Sequence, residues 1–439
     1  MSDRWSTDDV WALAPDASSR KAALKVAKDG SWPQRGAVAA EAGGTAAVWG
    51  ECKGSGSKPY LSAVHLDDPA GPGYKCSCPS RKIPCKHVLG LLALWAGGEV
   101  ADREDRPEWV AKWLGGRAAR KERAAGTASK PVDPEKAAAT LRKREEAVGA
   151  GMDELGLWLR DQIDAGLAEV PKHGYGHWDR MAKRLVDAKA GAAATLVTDM
   201  PSEARGDHWP ERVLERFALL HLLVEGFRAG DAAGPRVRGA VRARAGITTR
   251  VEEVLADGER VRDTWQVLGM SSSFKEQTTT RRVWLRGRRT GRVALSLSHA
   301  RGEQAPPTPF RSACETDTEL AFYPDGHRAA PAEPPEMRPS GPPPGSSVPE
   351  ALDAFAAALA EDPWLDAWPV VLADAVPARD GGWFLADASG NALPLESGDP
   401  WEFLAVTGGR PSTVAAEWSP RTGLSPLTVW DRNGKAVSL

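Results

Sequence analysis

Residues 76–87 read CSCPSRKIPCKH and place Cys76, Cys78, Cys85 and His87 in the pattern C-x-C-x6-C-x-H. Three of the five cysteines in the 439-residue chain lie in this stretch. Thiolate sulfur and imidazole nitrogen are ligands that Zn²⁺ takes in tetrahedral protein sites. The stretch therefore predicts one zinc ion held by these four side chains.

Three thiolates and one imidazole fill all four positions around zinc, so no position remains for a water molecule to be activated. We therefore interpret the ion as structural, a source of folding energy and not of catalysis. A Cys76–Cys78 disulfide is disfavoured because the two cysteines are too close to pair easily, and a redox-active thiol pair would leave His87 unexplained. Four cations lie beside the ligands and would offset the negative charge of the centre: Lys75, Arg81, Lys82 and Lys86.

The flanking sequence predicts a small unit around this knuckle. After Pro84, residues 85–95 are typical of a helix, with an apolar stripe at helical spacing: Val88, Leu91, Leu92 and Trp95. Upstream, residues 45–51 and 59–66 are short apolar segments separated by a Gly/Ser turn, which predicts a hairpin. The unit is expected to run strand, strand, metal knuckle, helix.

This arrangement, over about residues 45–96, resembles the SWIM-type zinc finger, whose ligands fall on Cys76, Cys78, Cys85 and His87. The resemblance implies a module that binds nucleic acid or protein partners. The remaining chain also resembles bacterial SWIM-containing proteins of similar length. Three segments carry that second resemblance: 186–191, 282–285 and 320–324. Such proteins are often encoded beside MoxR-type AAA ATPases and von Willebrand A-domain proteins, which implies a partner role in a chaperone-like system.

The composition is ordinary for a globular protein, with 42% hydrophobic and 26% charged residues and a net charge of -2. No apolar leader and no segment of membrane-spanning length occurs, so we expect a cytoplasmic protein without a membrane role. Residues 1–130 hold 20 Lys+Arg and 15 Asp+Glu, net +5, whereas residues 331–439 hold 6 and 15, net -9. The acidic last third argues against the whole chain lying along DNA.

The predicted fold class is α+β and multidomain, with an N-terminal ββ–zinc knuckle–α unit, a central helical bundle and antiparallel β segments in the C-terminal half. The predicted divisions are an N-terminal domain at 1–116, a linker at 117–134, a helical domain at 135–230, a β-rich domain at 246–328, a proline-rich linker at 329–349, and a small α/β or barrel-like domain at 350–439. In the helical domain, apolar residues recur at helical spacing: Leu155, Leu159, Ile163, Leu185, Val186, Leu214, Phe217, Leu220 and Val224.

One predicted strand, 280–288, carries a basic face. Arg282, Trp284, Arg286 and Arg288 alternate on one side, as a stacking platform for single-stranded nucleic acid requires. The alternative, which we favour, is a solvated outer sheet face whose tryptophan packs under a neighbouring element.

Motifs of catalysis are absent: no Walker A sequence, no G-x-S-x-G and no H-E-x-x-H occurs. Ser272 and Lys275 fit S-x-x-K but lack the companion motifs. His173 and His177 are interpreted as loop histidines because glycines separate them. The sequence therefore predicts a non-enzymatic adaptor that binds protein partners, with no evident small-molecule substrate. The alternative is a nucleic-acid-binding protein that uses the basic zinc finger and the Arg282/Trp284 strand.

Overall fold

The computed structural model describes residues 5–14, 17–39, 45–54, 58–66, 72–80, 82–103, 105–128, 134–275, 277–302, 305–396, 400–431 and 433–439. Within these ranges the protein is a mixed helix and sheet structure. It comprises an N-terminal unit (residues 5–128), a helical bundle (134–257) and a β body (259–439).

The N-terminal unit is built on an antiparallel sheet with the strand order β1-β2-β3-β4. The strands are β1 (Gln34–Ala39), β2 (Thr45–Cys52), β3 (Tyr60–His65) and β4 (Gly73–Cys76). Its helices are α1 (Thr7–Ala12), α2 (Ala17–Val26), α3 (Lys86–Ala96) and α4 (Glu108–Ala128). The predicted hairpin is therefore the central pair, β2 and β3, of a larger sheet.

Helix α3 packs on one face of this sheet, and α4 covers the other. Val48 and Val64 share a core with Leu91, whereas Trp49 on the opposite face contacts Val110 of α4. Gly50 permits close packing on this face, since a Cβ there would lie 2.8 Å from a ring carbon of Trp32 and 3.1 Å from a methyl carbon of Leu91. The predicted apolar stripe of α3 is confirmed, because all four of its residues are buried.

The segment 117–128, predicted to be part of a linker, is helical; its role as a linker stays a prediction. Helix α4 continues through it and passes over Gly115 and Gly116, which were expected to end the helix. The segment lacks apolar periodicity, but its alanine, lysine, arginine and glutamate residues are strong helix formers. Residues 129–133, the remainder of the predicted linker apart from Pro134, lie outside the described residues.

The helical bundle contains seven α-helices in the described chain: α5 (Pro134–Ala165), α6 (Tyr175–Asp187), α7 (Gly191–Thr198), α8 (Met200–Glu203), α9 (Trp209–Ala229), α10 (Pro235–Ala245) and α11 (Val251–Asp257). Helices thus continue beyond the predicted bound at residue 230. No helix in the described ranges is long and apolar enough to cross a membrane.

Most of the predicted apolar positions form the core of the bundle: Leu155, Leu159, Leu185, Phe217, Leu220 and Val224. Three predicted core residues are instead exposed, namely Ile163, Val186 and Leu214. A periodic pattern identifies the face of a helix, but the width of the covered part depends on the neighbouring helices.

The β body contains two antiparallel sheets. The first has the order β10-β8-β5-β6-β7, with β9 on β8, and consists of β5 (Glu259–Lys275), β6 (Thr278–Gly287), β7 (Val293–Arg301), β8 (Cys314–Phe322), β9 (Ala329–Pro331) and β10 (Arg338–Pro339). The second has the order β13-β12-β11-β14-β15-β16, and consists of β11 (Trp368–Asp380), β12 (Gly382–Ala386), β13 (Ala392–Pro394), β14 (Ser412–Ser419), β15 (Gly423–Trp430) and β16 (Ala436–Ser438). Two helices accompany them, α12 (Val348–Glu361) and α13 (Trp401–Thr407).

The two sheets pack face to face and share one core. Leu268 and Trp284 of the first sheet contact Ala415 and Leu427 of the second. Gly269 lies at the closest approach, where a Cβ would be 2.4 Å from the Leu427 Cβ. The predicted proline-rich linker, 329–349, is therefore not a spacer between separate domains, because its β9 and β10 pair with β8. Proline is tolerated at these sheet edges because the N–H that it lacks is not needed there.

Candidate metal centre

The four predicted ligands come from two adjacent elements. Cys76 is the last residue of β4, where it pairs with Ser62 of β3, and Cys78 lies in the bend that follows. Cys85 is the N-cap of α3 and His87 lies in its first turn. The end of one strand and the start of one helix therefore present all four side chains to a single point.

The sulfur atoms of Cys76, Cys78 and Cys85 and a ring nitrogen of His87 lie within 4.8 Å of one another. Nδ1 of His87 is 3.8 Å from the sulfur of Cys76. Cys85 and His87 are 3% and 4% exposed, and the other two are half-buried. Among the described residues this is the only group of three or more His, Cys, Asp or Glu side chains that is close enough to hold a metal ion.

The electrostatics of the cluster favour a cation at its centre. A hydrogen bond from Cys85, followed by weaker ones from His87 and Ser62, outweighs burial and lowers the pKa of Cys76 to about 4. The same bond and burial raise the pKa of Cys85, and burial raises that of Cys78. One thiolate is thus favoured, but three in contact repel each other unless a cation lies between them. The donor set and spacing fit Zn²⁺, which prefers thiolate and imidazole.

Two residues that the sequence reasoning missed lie against the cluster. The hydroxyl of Ser62, which is fully buried, is 3.1 Å from the sulfur of Cys76. The ring of Tyr60 lies on the imidazole of His87, with centroids 4.7 Å apart. Both are on β3, and they lie on the same face of the strand as Val64 because the three positions are two residues apart. A serine within an inward-facing apolar row was the available signal.

Two of the four cations predicted to offset the charge of the centre have other contacts. The ammonium of Lys75 lies 5.6 Å from the ring centroid of Trp109, and that of Lys82 donates to the Ser18 hydroxyl at 3.0 Å. Arg81 lies outside the described residues. Compensation of the cluster by these cations stays a prediction.

The predicted basic face of β6 is not available as a stacking platform. Trp284 is 1% exposed, and its indole N–H donates to Glu417 of β14 at 2.6 Å. Arg282 pairs with the same carboxylate at 3.1 Å. Arg286 donates to a backbone carbonyl, and Arg288 pairs with Glu315. The second sheet packs on this face. Trp284 therefore lies under a neighbouring element, as the favoured alternative predicted, but the face is not the solvated one that it also predicted.

The weaker sequence signals form no catalytic arrangement among the described residues. The ammonium of Lys275 pairs with Asp199 at 2.8 Å and not with Ser272. His173 and His177 stack with centroids 3.9 Å apart. His177 lies in the first turn of α6, and its ring forms a hydrogen bond with the side chain of Gln162. Its interpretation as a loop residue is therefore wrong.

A closed Cys3His cluster between a strand and a helix, followed by a helical bundle, is the arrangement of a zinc-finger protein. Residues 63–95 match the family model of the SWIM zinc finger, and residues 143–245 match that of the SWIM-associated four-helix bundle domain. The chain therefore contains a SWIM zinc finger and a SWIM-associated helical bundle domain, and it binds one structural Zn²⁺. No curated protein and no solved structure matches the chain.

Proposed function

We propose that this chain is a non-enzymatic adaptor whose N-terminal unit is a ββ–zinc knuckle–α module, with Cys76, Cys78, Cys85 and His87 as the four ligands of the zinc ion. The observation that carries the proposal is the complete set of four donor side chains around one point. A zinc ion with four protein ligands has no open position for substrate or water. The zinc ion then serves to hold β4 and α3 together.

The proposed role is protein binding. The two matched domain types are typically non-catalytic. The charge distribution, with a net +5 at residues 1–130 and a net -9 at residues 331–439, gives the chain two segments of opposite net charge, which favours steering of protein partners over binding of one long polyanion. The resemblance to bacterial SWIM-containing proteins makes MoxR-type AAA ATPases and von Willebrand A-domain proteins the first partners to test.

The test uses the full-length protein with its zinc content measured by elemental analysis. We expect one zinc per chain, and saturable binding to a purified ATPase or von Willebrand A-domain protein in biolayer interferometry. A preparation that binds neither candidate, recovers no partner by crosslinking in cells and turns over a substrate would overturn the adaptor proposal.

Nucleic-acid binding is the second candidate, and the positive charge of residues 1–130 is what favours it. Release of counterions predicts that its affinity would fall steeply as salt rises. Fluorescence titration of labelled single- and double-stranded DNA at low and high salt tests it. The absence of any low-salt binding would remove this candidate and leave the adaptor proposal intact.

A further inference from the structure

A groove with a volume of about 960 Å³ lies between the N-terminal unit and the β body. Leu13 and Tyr74 line it from the N-terminal unit, and Met270, Phe274 and Phe310 line it from the β body. Phe274 is 48% exposed, although exposing so large an apolar ring to water is unfavourable. We call this the interunit groove.

The metal knuckle shapes one wall of the interunit groove. Ile83 and Pro84, which precede the ligand Cys85, line it. Tyr74 lies on β4, two residues before the ligand Cys76. The shape of the groove therefore depends on the fold that the zinc ion stabilises.

Arg281 of β6 also lines the interunit groove, and no carboxylate of the described chain pairs with it. Burial lowers the pKa of its guanidinium, and the facing Tyr74 only partly opposes that shift. Its closest hydrogen-bond partner among the described residues is the Ser272 hydroxyl, at 3.5 Å, and no described carboxylate lies within 4.0 Å of it. A partly dehydrated guanidinium without an anion is costly, so it favours a ligand that brings one.

The other charges of the interunit groove do not compete for that ligand. Arg311 pairs with Asp9 at 3.3 Å, and Lys82 donates to Ser18. Glu336 and Glu396 are exposed at the rim. Among the described lining residues, the groove thus offers one unmatched cation within an aromatic and apolar lining, with two glutamate carboxylates at its edge.

We propose that the interunit groove binds an extended segment of a partner protein that carries one aspartate or glutamate between apolar side chains, with Arg281 pairing to that carboxylate. The proposal rests on the adaptor function and names the chemistry of its partner. Arginine is suited to this role because its planar fork binds a carboxylate through two hydrogen bonds. An extended segment is favoured because β4, whose Tyr74 lines the groove, is the edge strand of its sheet in the described chain, and edge strands can bind extended peptides.

The same observations disfavour nucleic acid as the occupant. Single-stranded nucleic acid carries one phosphate per nucleotide and is bound by grooves with rows of cations. One unmatched arginine between two rim glutamates does not supply such a row. Binding of nucleic acid in the groove is therefore treated as an alternative result of the test below.

Selection of 12-residue peptides from a random phage-displayed library on the full-length, zinc-loaded protein tests the proposal. We expect enriched sequences with one acidic residue flanked by apolar residues. The synthetic peptide should bind Arg281→Met at least tenfold more weakly than wild type in fluorescence anisotropy. Arg281→Lys, which keeps the charge but loses the fork, should be intermediate. Arg262→Met, on the same sheet but already paired with Asp317, is the matched control and should bind like wild type.

No enrichment, enrichment of basic sequences, displacement of the peptide by single-stranded DNA, or equal binding to wild type and Arg281→Met would each overturn the proposal. The adaptor function can fail separately. A partner protein that binds wild type and Arg281→Met equally leaves the adaptor function standing and removes the groove as its site. If the peptide binds through Arg281 but no partner protein is found, the groove stands as a peptide-binding site and the adaptor function fails. The melting temperature of Arg281→Met checks the fold and should not fall, because the variant removes an unmatched charge.

Discussion

The N-terminal unit and the β body both consist of antiparallel sheet and helix, but they are held together by different means. In the N-terminal unit four donor side chains converge within 4.8 Å at the junction of β4 and α3. In the β body stabilisation is spread over buried side chains from two sheets, such as Leu268, Trp284, Val371 and Leu427. The N-terminal unit therefore adds one metal-binding point to its apolar core, whereas the β body depends on an extended apolar contact between two sheets.

This difference predicts different responses to loss of one side chain. Removing a zinc ligand removes the ion and with it the link between strand and helix. Removing one core residue of the β body leaves the other contacts between its sheets in place. Measurements that resolve local unfolding should therefore show different responses in the two regions.

The largest effect is expected for Cys85→Ser. Structural zinc contributes about 10–16 kcal/mol of binding free energy in zinc-finger peptides, which is comparable to the whole stability of a domain, about 5–15 kcal/mol. We expect loss of bound zinc and loss of amide protection in α3, with protection in β5 and β6 retained. Hydrogen exchange read by mass spectrometry, with elemental analysis, measures both.

The matched control for this change is Cys314→Ser. Cys314 is a half-buried cysteine of β8 outside the metal cluster. Its variant should keep full zinc content and an unchanged α3. A metal-free Cys85→Ser protein whose α3 amides exchange as in wild type would contradict the view that the zinc ion holds this unit together.

A smaller effect is expected for Trp284→Ala in the β body. Truncating a buried tryptophan to alanine costs about 3–5 kcal/mol, because apolar contact is lost and a cavity forms. The change also takes the indole donor from Glu417, which keeps Arg282. The urea midpoint for exchange of amides in β6 and β14 should fall, while zinc content stays at wild-type level.

Trp401→Ala is the control for this prediction. Trp401 is 62% exposed, so the same substitution there should change stability by no more than about 0.5 kcal/mol. Equal effects at the two tryptophans would mean that the two sheets do not share the core described above. A loss of zinc on Trp284→Ala would show that the N-terminal unit and the β body unfold together.

The two regions also differ in how far the sequence predicts them. The metal cluster is encoded within twelve residues, 76–87, and the helix that follows begins where Pro84 and the apolar stripe indicate. The environment of Trp284 is not encoded locally, since its partner Glu417 lies 133 residues further along the chain. Alternation along β6 identified the face that carries Trp284 but not the sheet that covers it.

The same limit explains the segments predicted to be linkers. The proline-rich stretch 329–349 has no strand pattern of its own, but β8 provides the partner for β9 and β10. Residues 117–128 are helical without the apolar repeat that was used to identify helices, and their alanine, lysine, arginine and glutamate residues favour that state. The apolar pattern of the sequence thus missed two features. One is strand pairing between distant segments, and the other is a helix that has helix-forming residues but no apolar face.

The smallest effect is expected for Ser62→Ala, which sharpens the comparison within the N-terminal unit itself. The Ser62 hydroxyl, 3.1 Å from the Cys76 sulfur, donates to that sulfur once it is ionised and so favours the charged ligand. Residues behind metal ligands typically change metal affinity by about 10–100-fold, and we expect the lower end because a neutral hydroxyl is the donor. Competition with a chromophoric chelator measures the change.

Ser77→Ala is the matched control, because Ser77 lies beside Cys76 but accepts a hydrogen bond from the backbone N–H of Leu61. It should leave zinc affinity within about twofold of wild type, since it does not touch a ligand. Should the two variants bind zinc equally well, support from β3 would contribute nothing to the site. The four ligands alone would then determine the zinc affinity of the N-terminal unit. Its metal site would differ even more from the core of the β body, to which many side chains contribute.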